Sequence, residues 1–289
     1  MIKFDVTETQ AASAYFDRWG YVVFKDAIDP QLRAAFWDQV EAAIAGNADL
    51  TYSLYGKLYQ GPEVPLEGRR LPRIVDIESH VSAARKLILS PVIGAFLRQQ
   101  YKGAAPTCLQ SLTYKYSSEQ GAHSDKWLVA PPHAPAYDRE TLIAAWFALE
   151  SSDERNGALV IYPGSHRIPK PDLQKELASD YGAYMQALDT LGRENGCAPE
   201  AFHAAAGDIL FWHGDLIHAG GQITAESAEL PTRKSLVTHY ASIPPRMPTG
   251  DDSYVRVRHA AGSYFHKRRF LPPLRRSLFD RFIGGPLAS

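Results

Sequence analysis

From Cys108 onward the chain carries five short segments rich in β-branched and aromatic residues: CLQSLTYKY, LIAAWFALE, GALVIYPG, GDILFWHG and RKSLVTHYA. Each has the length of a strand, and helices do not alternate regularly with them. A doubly wound α/β sheet needs a helix after nearly every strand, so the pattern argues for a sandwich or jelly roll instead. An inserted helix or two is expected between the third and fourth segments, in KPDLQKELASDYGAYMQALDTLGREN. The N-terminal part reads differently. TETQAASAYFDRWG is amphipathic, with Gly20 as a natural stop, and YVVFKDAI follows as a strand. Asp29 caps a helix opened by Pro30, and SAARKLILSPVIGAFLRQQY is helical with a break near Pro91. Residues 51–73, rich in Tyr, Gly, Pro and Arg without a clear period, read as a loop able to fold over a cleft.

The expected organisation is one mainly β domain over residues 1–289, with flanking helices. N-terminal support spans 1–105, a jelly-roll core 106–245 and a C-terminal extension 246–289. A net charge of −1 gives no support for bulk nucleic-acid binding. The apolar runs are too short for a membrane span. Two cysteines and a polar N-terminus point to a cytoplasmic protein.

The chemistry-bearing stretch is EQGAHSDKWLVAPP, which places His123 two residues before Asp125. Residues i and i+2 of a strand share a face and can hold one ion together. Spacing alone proves little, because ten His and eighteen Asp give roughly 0.6 such pairs by chance. A second pair, His213 and Asp215, reads better as a turn around Gly214, although His213, Asp215 and His218 together would make a compact local site. His218 closes a strand candidate about ninety residues after the first pair. His123, Asp125 and His218 then offer two imidazoles and one carboxylate, the facial triad of non-haem ferrous oxygenases.

Three stretches carry a resemblance: HSD at 123–125, NGALVIYPGSH at 156–166, and GDILFWHGDLIHAGG running to TRKSLVTHY within 207–240. Together with the N-terminal helix–strand–helix, they resemble the phytanoyl-CoA dioxygenase family of iron(II)/2-oxoglutarate-dependent oxygenases. The resemblance implies a double-stranded β-helix (a cupin-like jelly roll) with His123, Asp125 and His218 as iron ligands and as the catalytic centre. It implies 2-oxoglutarate and dioxygen as cosubstrates, with succinate and carbon dioxide released as an unactivated C–H bond of a small metabolite is hydroxylated. Halogenating relatives carry Ala or Gly where Asp125 stands, so an intact carboxylate favours hydroxylation, with desaturation, cyclisation or epimerisation as variants.

An arginine after the second histidine holds the remote carboxylate of 2-oxoglutarate in this family, and Arg233 takes that place, fifteen residues beyond His218. Without the resemblance, Arg233 reads as a solvated strand-end residue beside Lys234. Ser235 shares its face. In CLQSLTYKY, Gln110, Leu112 and Tyr114 share one face, so Gln110 and Tyr114 are candidates to touch 2-oxoglutarate or substrate, or simply to pack. Lys126 and Trp127 are equally open between substrate contact and structure. Trp146 and His166 read as structural, and His239 as a satisfied core histidine or one that supports a metal ligand. The basic tail YVRVRHAAGSYFHKRRFLPPLRR either attracts an anionic small-molecule substrate or is a solvated face. Two other readings use the same triad: a zinc hydrolase, and a non-catalytic jelly roll holding a metal or ligand.

Overall fold

In the computed structural model, the residues described are 1–46, 49–54, 57–61, 72–129, 137–173, 175–177, 180–226, 230–243, 254–258 and 263–268. In chain order the elements are β1 (Lys3–Phe4), α1 (Thr9–Trp19), β2 (Tyr21–Phe24), α2 (Pro30–Gly46), β3 (Thr51–Leu54), β4 (Lys57–Gln60) and β5 (Arg73–Val75). Next come α3 (Ser82–Ile88), α4 (Pro91–Gln100), β6 (Pro106–Tyr114), β7 (Ile143–Ala148) and β8 (Leu159–Ile161). The chain continues through α5 (Tyr181–Glu194), β9 (Glu200–Phe202), β10 (Ile209–His213), β11 (His218–Gly220), β12 (Ser235–Ser242), β13 (Tyr254–Arg258) and β14 (Tyr264–Arg268).

Local chemistry starts and stops the helices as expected. Asp29 Oδ1 accepts the Leu32 N–H at 2.8 Å at the head of α2. Gly20 ends α1 at φ 75° and donates its N–H to the Phe16 carbonyl, a left-handed cap that favours glycine. A side chain there would also meet the His166 ring at 2.4 Å, so the histidine of YPGSH packs directly on this cap.

The main sheet runs β1-β2-β10-β7-β12-β6-β5-β3-β4, and a smaller sheet runs β11-β8-β9. The strands divide two cores by parity. Val22, Phe24, Ile143, Ala145, Phe147, Ile209, Phe211 and Leu236 face a core shared with the helices. Their neighbours Tyr21, Val23, Ala144, Trp146, Ala148, Leu210, Trp212 and Val237 face a second core that includes Leu159, Ile161 and Phe202 of the smaller sheet. Both faces of the main strands are therefore apolar, which is why these segments read as continuous runs rather than alternating ones. The jelly roll expected from the sequence is the fold observed.

The stretch 51–73 is only partly a loop. Thr51–Leu54 and Lys57–Gln60 pair as an antiparallel hairpin, and β5 ties it to β6 through Ile74↔Thr113 and Val75↔Leu112. Residues 62–71 of that stretch lie outside the described residues, as do His259 and Arg269 of the basic tail. The tail's β13 and β14 pair with each other, and β14 joins β6 in parallel.

One buried carboxyl sits on the helix side of the sheet. Glu78, in a 3₁₀ turn and 1% exposed, accepts from the Ser111 hydroxyl, while Arg85 donates to its backbone carbonyl. Burial, then the nearby Asp76 carboxylate, push its pKa up from 4.5 to about 8. Folded protein thus keeps a proton that the unfolded chain loses above 4.5, so this contribution to stability is complete below that pH and is lost as the pH rises through 8. Thermal unfolding should show a midpoint several degrees lower at pH 9 than at pH 6, with most of that difference gone in Glu78→Gln. An unchanged difference in the variant would contradict the assignment.

Candidate metal centre and cosubstrate pocket

His123 and His218 meet through an isolated antiparallel bridge, each donating its backbone N–H to the other's carbonyl at 2.9 Å. Their ring centroids stand 4.2 Å apart. Asp125 does not share a strand face with His123; it heads a turn in which Leu128 and Val129 donate to its carbonyl. The turn delivers the carboxylate to the imidazoles, so that one ligand atom from each of the three residues lies within 4.8 Å of the others. All three are buried.

Outer contacts aim each donor inward. His123 Nδ1 donates to the Gly121 carbonyl at 2.8 Å, and His218 Nδ1 to the Leu216 carbonyl at 3.0 Å. With Nδ1 so engaged, it is Nε2 that each ring turns to the centre. Burial, then the His218 ring, lower the His123 pKa to about 3, so this imidazole stays neutral and free to ligate. The Asp125 oxygens are divided. Oδ2 accepts from Trp212 Nε1 at 2.7 Å and from His239 Nε2 at 3.2 Å. Oδ1 faces the two Nε2 atoms at 3.9 and 3.7 Å, too far for hydrogen bonds and wide enough to share an ion. Burial alone would raise the Asp125 pKa, but His218 and His239 outweigh it and hold the carboxyl well below the usual range. Gln110 Nε2 lies 3.3 Å from His239 Nδ1, which fixes the His239 tautomer that donates to Asp125.

Arg233 lies just ahead of β12 and is 3% exposed. Its Nη1 donates to the Gly157 carbonyl at 2.5 Å, and its guanidinium lies 5.7 Å from the Trp146 ring centre. Gly157 itself has φ 80°, and a side chain there would meet the Gly221 carbonyl at 2.6 Å. Arg233 makes no ion pair among the described residues, and its Nε, the Ser235 hydroxyl and Trp146 Nε1 are all buried without hydrogen-bond partners. Burial lowers its pKa to about 10, which still leaves it charged at neutral pH. Neighbouring Lys234 points the other way and pairs with Glu150 at 3.1 Å. A buried cation with unmet donors is costly unless an anion completes it. The chemistry of these donors suits a carboxylate.

Other candidates fall outside this centre. His213 Nδ1 accepts the Asp215 N–H, and the Asp215 carboxylate takes Lys126, which also reaches Glu140. The rival set of His213, Asp215 and His218 is therefore not assembled. Trp127 packs with α5 under Arg139. Tyr114 accepts from Arg73 Nη1 at 3.1 Å. Arg73 and Trp212 went unnoticed in the sequence: one lay in an apparent loop, and the other looked like one more core aromatic.

The sequence model of the phytanoyl-CoA dioxygenase (PhyH) family matches residues 16–229. The chain belongs to that family. This PhyH-family chain is 27% identical over 108 residues to the peroxisomal phytanoyl-CoA dioxygenase of Bos taurus, a match covering 37% of this chain and 30% of that protein. Among solved structures, the carbocyclase SnoK of nogalamycin biosynthesis is similar at a TM-score of 0.64 and 17% identity, over 92% of this chain and all of the other (100%). The epimerase SnoN, solved with Fe3+, alpha ketoglutarate and nogalamycin RO, gives 0.63 and 16%, over 91% and 99%. EctD from S. alaskensis, solved with 2-oxoglutarate and 5-hydroxyectoine, gives 0.58 and 20%, over 80% and 75%. At these identities the likeness is one of fold, and it agrees with the jelly roll. No described helix is long and apolar enough to cross a membrane.

The Trp212 bond to Asp125 is testable on its own. Trp212→Phe keeps the apolar ring but removes the donor, so metal affinity should fall by roughly 10–100-fold. Titration with cobalt(II) followed by its visible spectrum measures this, and unchanged affinity would show that His239 alone holds the carboxylate.

Proposed function

We propose that this chain is an iron(II)/2-oxoglutarate-dependent oxygenase hydroxylating a C–H bond of a small molecule, with His123, Asp125 and His218 as the metal ligands. The observation that carries the reading is the buried Arg233, whose unmet donors, together with those of Ser235 and Trp146, await a carboxylate in the same interior as the triad. Family membership and three fold relatives, two of them solved with this 2-oxo acid, support it. Iron bound there supplies dioxygen activation coupled to oxidative decarboxylation of 2-oxoglutarate. In the balance, one oxygen atom would enter succinate and the other the substrate, with two electrons drawn from 2-oxoglutarate and two from the substrate.

The chain's own residues do the positioning. Gly121 and Leu216 orient the imidazoles, while Trp212 and His239 hold one carboxylate oxygen so that the other is free. Arg233 and Ser235 would bind the remote carboxylate of 2-oxoglutarate, and the Trp146 indole would close that end to water. Tyr114 and Gln110, opposite Ser235 and His239 in the β6–β12 register, would line the route between. A zinc hydrolase or a fixed-ion binding protein gives the buried arginine no counterion.

The test is anaerobic addition of ferrous iron and then 2-oxoglutarate to the apoprotein, watching for the weak visible charge-transfer band of a chelated 2-oxo acid. The band should appear and should vanish in Arg233→Met at the same 2-oxoglutarate concentration. Iron binding without any band would overturn the reading.

A further inference from the structure

Arg73 is a second cation on the interior face of the main sheet. Ile74 pairs with Thr113 in the β5–β6 register and faces the helix-side core, so Arg73 and Val75 turn the other way, toward Tyr114. Arg73 Nη1 donates to the Tyr114 hydroxyl at 3.1 Å, and that neutral group is its one hydrogen-bond partner among the described residues. No carboxylate comes within ion-pairing distance of it among them. The guanidinium nevertheless lies close enough to Asp125 and to the Tyr181 hydroxyl for both to favour its charge, after the larger effect of Tyr114. Tyr114 stands opposite Ser235 in the β6–β12 register, two residues beyond Arg233, and β6 lies between β12 and β5. Tyr114 is thus set between Arg233 at the head of β12 and Arg73 on β5.

Charge counting assigns Arg73 a partner. A divalent ion, the Asp125 carboxylate and a dianionic 2-oxo acid sum to one negative charge, and Arg233 cancels it. Arg73, partly buried, then remains as one positive charge without a counterion among the described residues, in surroundings where the attraction for an anion is stronger than in water. We propose that Arg73, steadied by Tyr114, receives a carboxylate of the substrate, so that the substrate class is a monoanionic carboxylic acid. One leftover charge matches a carboxylate better than a phosphate monoester, and the planar fork of the guanidinium suits two parallel hydrogen bonds to it. This inference rests on the oxygenase reading, because that reading supplies the charges that are cancelled.

The probes are phenylacetate and phenylacetamide, which share a shape and differ in charge, titrated calorimetrically into protein loaded anaerobically with iron(II) and 2-oxoglutarate. Wild type should bind the acid at least tenfold more tightly than the amide. Arg73→Gln should erase that preference and Arg73→Lys should keep part of it. Both should leave 2-oxoglutarate affinity, read from the charge-transfer band, within twofold of wild type. Equal binding of acid and amide by wild type, or a preference that survives in Arg73→Gln, would overturn the proposal. So would a tenfold loss of 2-oxoglutarate affinity in Arg73→Gln, which would place the residue in the cosubstrate pocket. Absence of the band in wild type would instead strike the oxygenase reading, and the acid–amide contrast on metal-free protein would still report on Arg73.

Discussion

Asp125→Asn is expected to abolish metal binding and turnover while leaving the fold close to wild type. The asparagine carbonyl can accept the bonds that Trp212 Nε1 and His239 Nε2 now donate to Oδ2. Its amide nitrogen would then face the two imidazoles, and that group does not ligate. The loss should exceed the roughly 10–100-fold that follows removal of an outer partner, because a ligand atom itself is gone. Asp125→Ala separates the two roles. It loses the metal as well, and it also strands two buried donors, each at a cost of about 1–3 kcal/mol. Metal titration and thermal unfolding of both variants make the check. Full metal affinity in Asp125→Asn would remove Asp125 from the ligand set.

The second large effect runs in opposite directions for stability and for binding. Arg233→Met should weaken 2-oxoglutarate binding by roughly 30-fold to several thousand-fold, since truncating one side of a buried charge pair costs about 2–5 kcal/mol. The same substitution should stabilise the cosubstrate-free protein by about 1–4 kcal/mol, because it replaces a buried cation lacking an ionic partner by an apolar chain of similar reach. Added 2-oxoglutarate should then raise the unfolding midpoint of iron-loaded wild type but not that of the variant. A variant that is less stable without cosubstrate would mean that the bond to the Gly157 carbonyl, rather than an awaited anion, is the main role of Arg233.

The two faces of the main sheet are packed differently. The helix-side core is filled by aromatic contacts such as Phe96 with Phe211, whose centroids lie 4.5 Å apart. The interior between the sheets gives up part of its packing to unmet donors at Arg233, Ser235 and Trp146. A fold concerned only with stability would have apolar side chains at these positions, so the departure supports the binding site proposed there.

The amino-acid sequence by itself determined the strands, the helix ends and the three residue types of the candidate centre. These depend on local chemistry: β-branched runs, the Asp29 cap, the Gly20 stop and a His-x-Asp pair followed by a second histidine. The sequence did not disclose how His123 and Asp125 come together, because a backbone bridge to His218 and a turn do the work assigned to one strand face. Nor could the hairpin in 51–73 be recognised, since its short strands gain their stability from pairing with β5, itself joined to β6, rather than from any pattern of their own. Only the tertiary structure decided the rest. Parity within the main sheet turned Arg233 inward and Lys234 outward, gave Trp212 to Asp125 and set Arg73 beside Tyr114. Such contacts join residues up to a hundred positions or so apart, and their energy exists only once the two sheets have closed on one another.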